Sequence, residues 1–236
     1  MRSDALVIAY HGVSHVPRSP LEVRVGQLER HVRALIWRGY RFETVTRAVE
    51  ATGSGERVAA ISFDDGDPSV VELALPLLAS FGAQGTAFVT TAEQRRLDVR
   101  PLLAAGWEIG SHAHRHVELT SLGNEELERE LRNSREAIVA ECGACTSIAY
   151  PYSAVDERVV DAARRAGFAV GCTTGASPAL GPLTWPRVGI GRDDGAVAFL
   201  LKTSKPGRRL RRSTVGASIA AAARASRQSA YRLRHT

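Results

Sequence analysis

No run of the 236 residues approaches the roughly 18 consecutive apolar positions that a membrane-spanning helix needs, although 44% of them are hydrophobic. Cysteine is scarce: Cys142 and Cys145 form a C-G-A-C pair and Cys172 stands apart. A structural zinc centre takes four ligands, and no second Cys or Cys/His pair lies at a matching spacing. The plain reading is buried, reduced thiols in a reducing compartment, with a redox pair as the alternative. Gly (21) and Pro (10) are near average, which excludes collagen-like and low-complexity chains. GxGxxG and P-loop sequences are missing, which removes the commonest reason to expect an open nucleotide-binding sheet. The opening residues, MRSDALVIAYHGV, lack the basic start, apolar middle and small-residue cleavage site of a secretory signal. A cytoplasmic protein is therefore expected.

Lysine is nearly missing too; Lys202 and Lys205 are the only two. Acidic residues are absent from 202–236, which holds ten Lys and Arg, so the basic balance of +6 belongs to the tail and the body is slightly acidic. The expected organisation is a domain over 1–201 and a tail over 202–236. Within the tail, 202–213 reads as a basic linker and 219–233, rich in Ala and Arg, as a helix. A solvated terminal helix is the plain reading. Peripheral contact with an anionic membrane surface is the alternative partner, ahead of nucleic acid, because Tyr231 is the tail's only aromatic residue.

What is present is an alternation of short apolar runs and helical periodicities. Strands are expected at Leu6–Tyr10, Val58–Phe63, Thr86–Val89, 107–111, 147–150, 168–173 and 184–190. Between them, Val25, Leu28, Val32, Leu35 and Ile36 recur at helical spacing, as do Val70, Leu73, Leu77 and Leu78. Further helices are expected over 97–105 before Gly106, after Asn124 with a Glu128–Arg132 pair, and from an Asp156 cap to Gly167. Seven or eight strands in βαβα order argue for parallel strands wrapped by helices, as an open sheet or a closed barrel.

Polar clusters follow four of the strands: Tyr10-His11-Gly12-Val13, Phe63-Asp64-Asp65-Gly66, Ser111-His112-Ala113-His114-Arg115-His116 and Tyr150-Pro151-Tyr152. In a parallel barrel those ends share one face, where catalytic loops converge. Adjacent carboxylates point in different directions, so one can bind a metal while the other serves as a base. His112 and His116 can share an ion on one side of a helical turn; in a strand, His112, His114 and His116 would share a face instead. Imidazole and carboxylate suit Zn²⁺ and accommodate Fe²⁺, Co²⁺ or Ni²⁺. Two His and one Asp leave positions open for water and substrate, which points to hydrolysis of an amide or ester.

These motifs resemble the polysaccharide deacetylases, the NodB homology domain of carbohydrate esterase family 4. Phe63-Asp64-Asp65-Gly66 matches the first motif, His112 to His116 the second, and Tyr150-Pro151-Tyr152 resembles the third, within coverage of about 5–195. Leu75-Pro76-Leu77-Leu78 and Thr86-Ala87-Phe88-Val89 also resemble the family. Within that coverage no L-x-H follows Tyr152; the early Tyr10-His11-Gly12-Val13 resembles the circularly permuted branch, which includes exopolysaccharide and poly-N-acetylglucosamine deacetylases. The resemblance implies an α/β fold, a distorted (β/α)7 TIM-like barrel. It implies a divalent metal, zinc first, on Asp65, His112 and His116. Asp64 would be the general base, His11 the general acid, and the Tyr152 backbone N–H an oxyanion donor, with Pro151 stiffening its turn. The substrate implied is an N-acetylated sugar, glycan or glycolipid.

The sequence departs from that pattern in places. Ala113 replaces a Ser/Thr that steadies the histidine loop. Ala149 stands where an Arg usually holds the catalytic Asp; Arg187 is the candidate substitute, with an ordinary surface Arg as the plain alternative. The Asp-Trp pair of the fourth motif is missing, and Trp185 is read as core rather than groove. His114 is read as supporting or exposed, His15 and His31 as surface residues, and Asp67 as a cap for the following helix. The competing functions are a non-catalytic glycan-binding descendant, favoured by Ala113 and Ala149, and a hydrolase of another C–N amide bond.

Overall fold

The computed structural model describes residues 5–92, 97–174 and 181–211. The first strand, β1 (Leu6–Tyr10), is an unbroken apolar run with every residue buried, as suits a parallel strand covered on both faces. Two short parallel strands follow, β2 (Gly12–Ser14) and β3 (Glu22–Arg24), paired with each other. Helix α1 (Val25–Trp37), strand β4 (Arg41–Phe42) and helix α2 (Val45–Glu50) lead into β5 (Val58–Phe63). A wide π-type turn at Val70–Ala74 opens into α3 (Leu75–Ala79). Then come β6 (Thr86–Val89), α4 (Arg100–Ala104), β7 (Glu108–Ser111), α5 (Asn124–Cys142), β8 (Ser147–Ala149), α6 (Glu157–Ala166) and β9 (Val170–Thr174). The last are β10 (Trp185–Gly189), α7 (Ala196–Thr203) and α8 (Lys205–Arg211).

Seven parallel strands close into a ring. Strands β5 to β10 lie side by side in chain order, and β1 completes the circle, with Val7 opposite Arg187 of β10 and Ile8 opposite Ile61 of β5. The expected (β/α)7 barrel is therefore present. Alternation along the strands divides the core in two. Leu6, Ile8, Ile61, Phe63, Ile109 and Ile148 face the helices in the larger cluster. Val7, Ala60, Phe88, Ala149, Val170 and Cys172 belong to a smaller cluster inside the ring. Val45 and Ala48 of α2 join that inner cluster and plug the end of the barrel where the strands begin. There the Glu108 carboxylate accepts from the Thr46 N–H and from the Ser147 hydroxyl, at 3.0 and 2.6 Å.

Helix boundaries follow local chemistry. Asp156 Oδ1 accepts from the Val159 N–H at 2.8 Å, capping α6, and Gly167 ends it with φ 96°. In α1, Leu28, Val32 and Leu35 are fully buried, each contributing roughly 1.5–3 kcal/mol.

The structure corrects several expectations. His31 is not a surface residue: it is 1% exposed, stacks on Phe199 of α7 at 4.0 Å and shares a 3.0 Å hydrogen bond with the Tyr10 hydroxyl. Its place between Leu28, Val32 and Leu35 on the apolar stripe was the signal. Glu128 pairs with Arg165 of α6 at 3.0 Å rather than along its own helix. Part of the stretch read as linker, Lys205–Arg211, is the helix α8, and α7 runs through position 201 with Phe199 and Thr203 fully buried. The helix expected over 219–233 lies outside the described residues. Cys142, Cys145 and Cys172 are free thiols; burial pushes Cys145 and Cys172 up to about 12. Trp185 packs on the inner core, away from the barrel mouth.

Candidate active site

The Asp64 N–H donates to the Tyr10 carbonyl at 2.9 Å, so β1 and β5 run in register up to the mouth and leave His11 beside Asp64. Asp65 and Gly66 then take φ of 72° and 74°. Asp tolerates this left-handed conformation better than most residues, and the reversal sends the two neighbouring carboxylates to different partners.

Asp64 is 4% exposed, and Arg187 of β10 grips it with two parallel bonds, Nη1 to Oδ1 at 2.6 Å and Nη2 to Oδ2 at 2.7 Å. Arg187 is itself buried, rests over the Phe88 ring and donates to Ser62 Oγ at 3.1 Å. The surface-Arg alternative for Arg187 is thereby excluded. Burial pushes Asp64 up, but the guanidinium outweighs it and holds the carboxyl below the usual range, with His112 and His11 adding to the effect.

Asp65 faces both histidines of the second motif. The Nε2 atoms of His112 and His116 each lie 3.3 Å from Asp65 Oδ1, and one ligand atom from each of the three residues falls within 4.8 Å of the others. Asp65 Oδ1 is buried without a hydrogen-bond partner. His112 Nδ1 lies 2.7 Å from the Ala149 carbonyl, which can only accept, so Nδ1 carries a proton and Nε2 is the ring nitrogen that faces Asp65. An orphaned carboxylate oxygen and a preset imidazole tautomer fit a divalent cation. Burial opposes charge on Asp65, yet the two imidazoles hold it well below the usual carboxylate range.

The histidine segment is neither helix nor strand. Ala113 and His116 have φ of 63° and 54°, and these left-handed residues bring His112 and His116 together with ring centroids 4.8 Å apart. The Ala113 N–H donates to Ser111 Oγ at 3.0 Å, and Ser111 meets Ser134 of α5 at 2.7 Å. Arg115 ties the loop to Glu130 at 2.8 Å. His114 points away from the ion site and bonds Thr91 Oγ1 at 2.7 Å. Sequence reasoning missed Ser134, Glu130 and Thr91, whose loop-holding role depends on contacts between distant elements.

Tyr152 closes the fourth side. Its ring meets His116 edge-on at 4.8 Å, and left-handed φ at Tyr152 (56°) and Ser153 (55°) turns the chain sharply after Pro151. Asp67 accepts from the Ser69 N–H at 2.9 Å, as expected of a cap. His15 is exposed, as expected. Beside the mouth lies a cleft of about 350 Å³ lined by Val13, Ser14, Val16, Arg18, Glu22 and Asp67. His11, Asp64, Asp65, His112, His116 and Tyr152 thus gather at one end of the barrel. The gripped carboxylate, the histidine pair and the polar cleft lie together at the barrel mouth.

Comparison with known proteins agrees. The family model described as polysaccharide deacetylase matches residues 51–171, and the chain belongs to that family, whose members hydrolyse carbon–nitrogen bonds other than peptide bonds. A chitooligosaccharide deacetylase of Sinorhizobium fredii is 28% identical over 166 residues, 68% of this chain and 74% of that protein. In fold, the Streptococcus pyogenes deacetylase PplD superposes with a TM-score of 0.76 at 20% identity, covering 86% of this chain and 99% of that one. IcaB from Ammonifex degensii gives 0.70 at 20% identity, over 84% and 97%.

Proposed function

We propose that this protein is a metal-dependent N-deacetylase that releases acetate from an N-acetylated sugar, glycan or glycolipid. The observation that carries the reading is the division of labour between neighbours: Asp65 turned to two imidazoles, Asp64 turned to Arg187. Asp65, His112 and His116 would hold the ion, with Zn²⁺ first among the metals this donor set suits and Co²⁺, Ni²⁺ and Fe²⁺ behind it. When bound, such an ion supplies Lewis acidity to a carbonyl oxygen and acidifies water.

The chain's own groups supply the rest. Asp64 stays ionised beside Arg187 and takes the proton of the attacking water. His11, just after β1, delivers a proton to the departing amine. The Tyr152 N–H donates to the carbonyl oxygen as it gains charge. The cleft between Val13 and Asp67 offers Arg18, Glu22 and Asp67 to sugar hydroxyls. Relatives named for chitooligosaccharide and for peptidoglycan N-acetylglucosamine support an N-acetylhexosamine. With a cytoplasmic chain the substrate would be a soluble aminosugar precursor or a glycan presented on that side of the membrane.

The test is acetate release from N-acetylhexosamine oligomers, glycolipids and small N-acetyl sugars in the presence of Zn²⁺ or Co²⁺. Turnover is expected, and Asp64→Asn should lower it by about 10²–10⁴-fold while metal content is retained. Sugar binding with no acetate from any of these substrates would instead mark a glycan-binding protein.

A further inference from the structure

The outer surface of α1, α7 and α8 carries apolar side chains that the fold leaves in solvent. Trp37 is 85% exposed, Val197 72%, Leu201 64%, Leu210 61% and Ile36 45%. These helices adjoin: Arg38, just past α1, donates to Thr203 Oγ1 at 2.7 Å and to the Thr203 carbonyl at 3.2 Å, joining the ends of α1 and α7. Helix α8 packs closely on α7, so that a Cβ at Gly207 would come within 2.0 Å of the Leu201 carbonyl oxygen. Among these apolar residues stand exposed Lys205 and Arg209. No Asp or Glu occurs anywhere after Asp194.

The location is defined by the helix directions. Gln27, near the start of α1, donates to the carbonyls of Gly191 and Asp194 beyond the end of β10 at the mouth. Arg41, just after α1, pairs with Val58 at the start of β5. Helix α1 therefore descends from mouth to base, and α7 descends beside it. Trp37, Leu201 and α8 lie at the base, away from the catalytic residues.

We propose that this face docks on a membrane surface containing anionic lipid, with the barrel mouth turned towards the aqueous phase. Exposed Trp and Leu next to Lys and Arg match an interfacial mode of binding, in which apolar side chains enter the headgroup region and cations meet lipid charge. Charge selects this occupant. Residues 212–236 carry only cations among their charged groups, so laying them over Lys205 and Arg209 would set like charges together, as would a second copy of the same face.

The test is co-sedimentation of the full chain with phosphatidylcholine vesicles, with and without phosphatidylglycerol, over a range of salt. Binding is expected only with phosphatidylglycerol, falling as salt rises, with a blue shift of Trp37 fluorescence. Trp37→Glu combined with Leu201→Glu, and separately Lys205→Glu with Arg209→Glu, should each reduce partitioning by about tenfold or more. Both variants alter exposed positions and should keep the wild-type rate of acetate release from a soluble sugar, as should vesicle-bound wild type. That rate is read independently, so loss of docking and loss of deacetylation are separable. Absence of lipid-dependent binding, binding unchanged in both variants, Trp37-dependent self-association, or preferential capture of single-stranded RNA would overturn the proposal.

Discussion

Arg187 Nη1 and Nη2 meet the two oxygens of Asp64 at 2.6 and 2.7 Å, a buried fork-to-fork pair. The pair orients Asp64 through two bonds at once, which a point charge cannot do.

Arg187→Lys keeps the charge and loses the fork. Turnover should fall by about 10–100-fold, the range found when a group that orients a functional side chain is lost. KM for the sugar should hold steady, because the Arg187 contacts are Asp64, Ser62 and Phe88. Arg187→Met leaves a buried carboxylate without its cation and should cost about 3–5 kcal/mol of stability, read by urea unfolding. Equal kcat in wild type and Arg187→Lys would show that Asp64 needs no such orientation.

Metal content offers a second check. Purified protein should bind a single divalent ion per chain by elemental analysis, and Asp65→Ala should lose it. Acetate release should vanish on chelation and return with Zn²⁺. Turnover that persists after complete chelation would contradict the ligand role of Asp65, His112 and His116.

His31 gives a pH prediction away from the site. Burial lowers it from 6.5 to about 4, partly opposed by its bond to the Asp194 carbonyl. The unfolded chain binds this proton first as pH falls, so the native state is penalised between pH 6.5 and 4. The loss should approach about 3 kcal/mol, be absent above the unfolded value, and grow no further below the folded one. Comparing wild type with His31→Gln by urea unfolding between pH 7 and 4 isolates this share of the slope; parallel curves would refute it.

Gly171→Ala tests the packing of β9. The added Cβ would fall 2.2 Å from the Leu183 carbonyl oxygen and 2.5 Å from the Tyr150 hydroxyl. Backbone must yield there, at a cost of about 1–3 kcal/mol, seen as a lower thermal midpoint.

Much of this arrangement was legible from the chain alone. Buried parallel strands such as Leu6–Tyr10 and Val58–Phe63 are continuous apolar runs, so their ends, and the polar residues following them, stand out. Strands of two or three residues, such as Arg41–Phe42, carry too few positions to show a period. The left-handed turns at Ala113, His116 and Tyr152 have no neighbouring glycine to announce them, and they shape the loops that carry the site residues. Arg187 was ambiguous because its partner lies 123 positions away. His31 was misread by its residue type, although its place on the stripe of Leu28, Val32 and Leu35 pointed inward.

Because β1 closes the ring between β5 and β10, the site is assembled from both ends of the folded body. During synthesis Asp64 emerges long before the guanidinium that neutralises it. A chain that has not yet added β10 therefore lacks the partner that grips the Asp64 carboxylate.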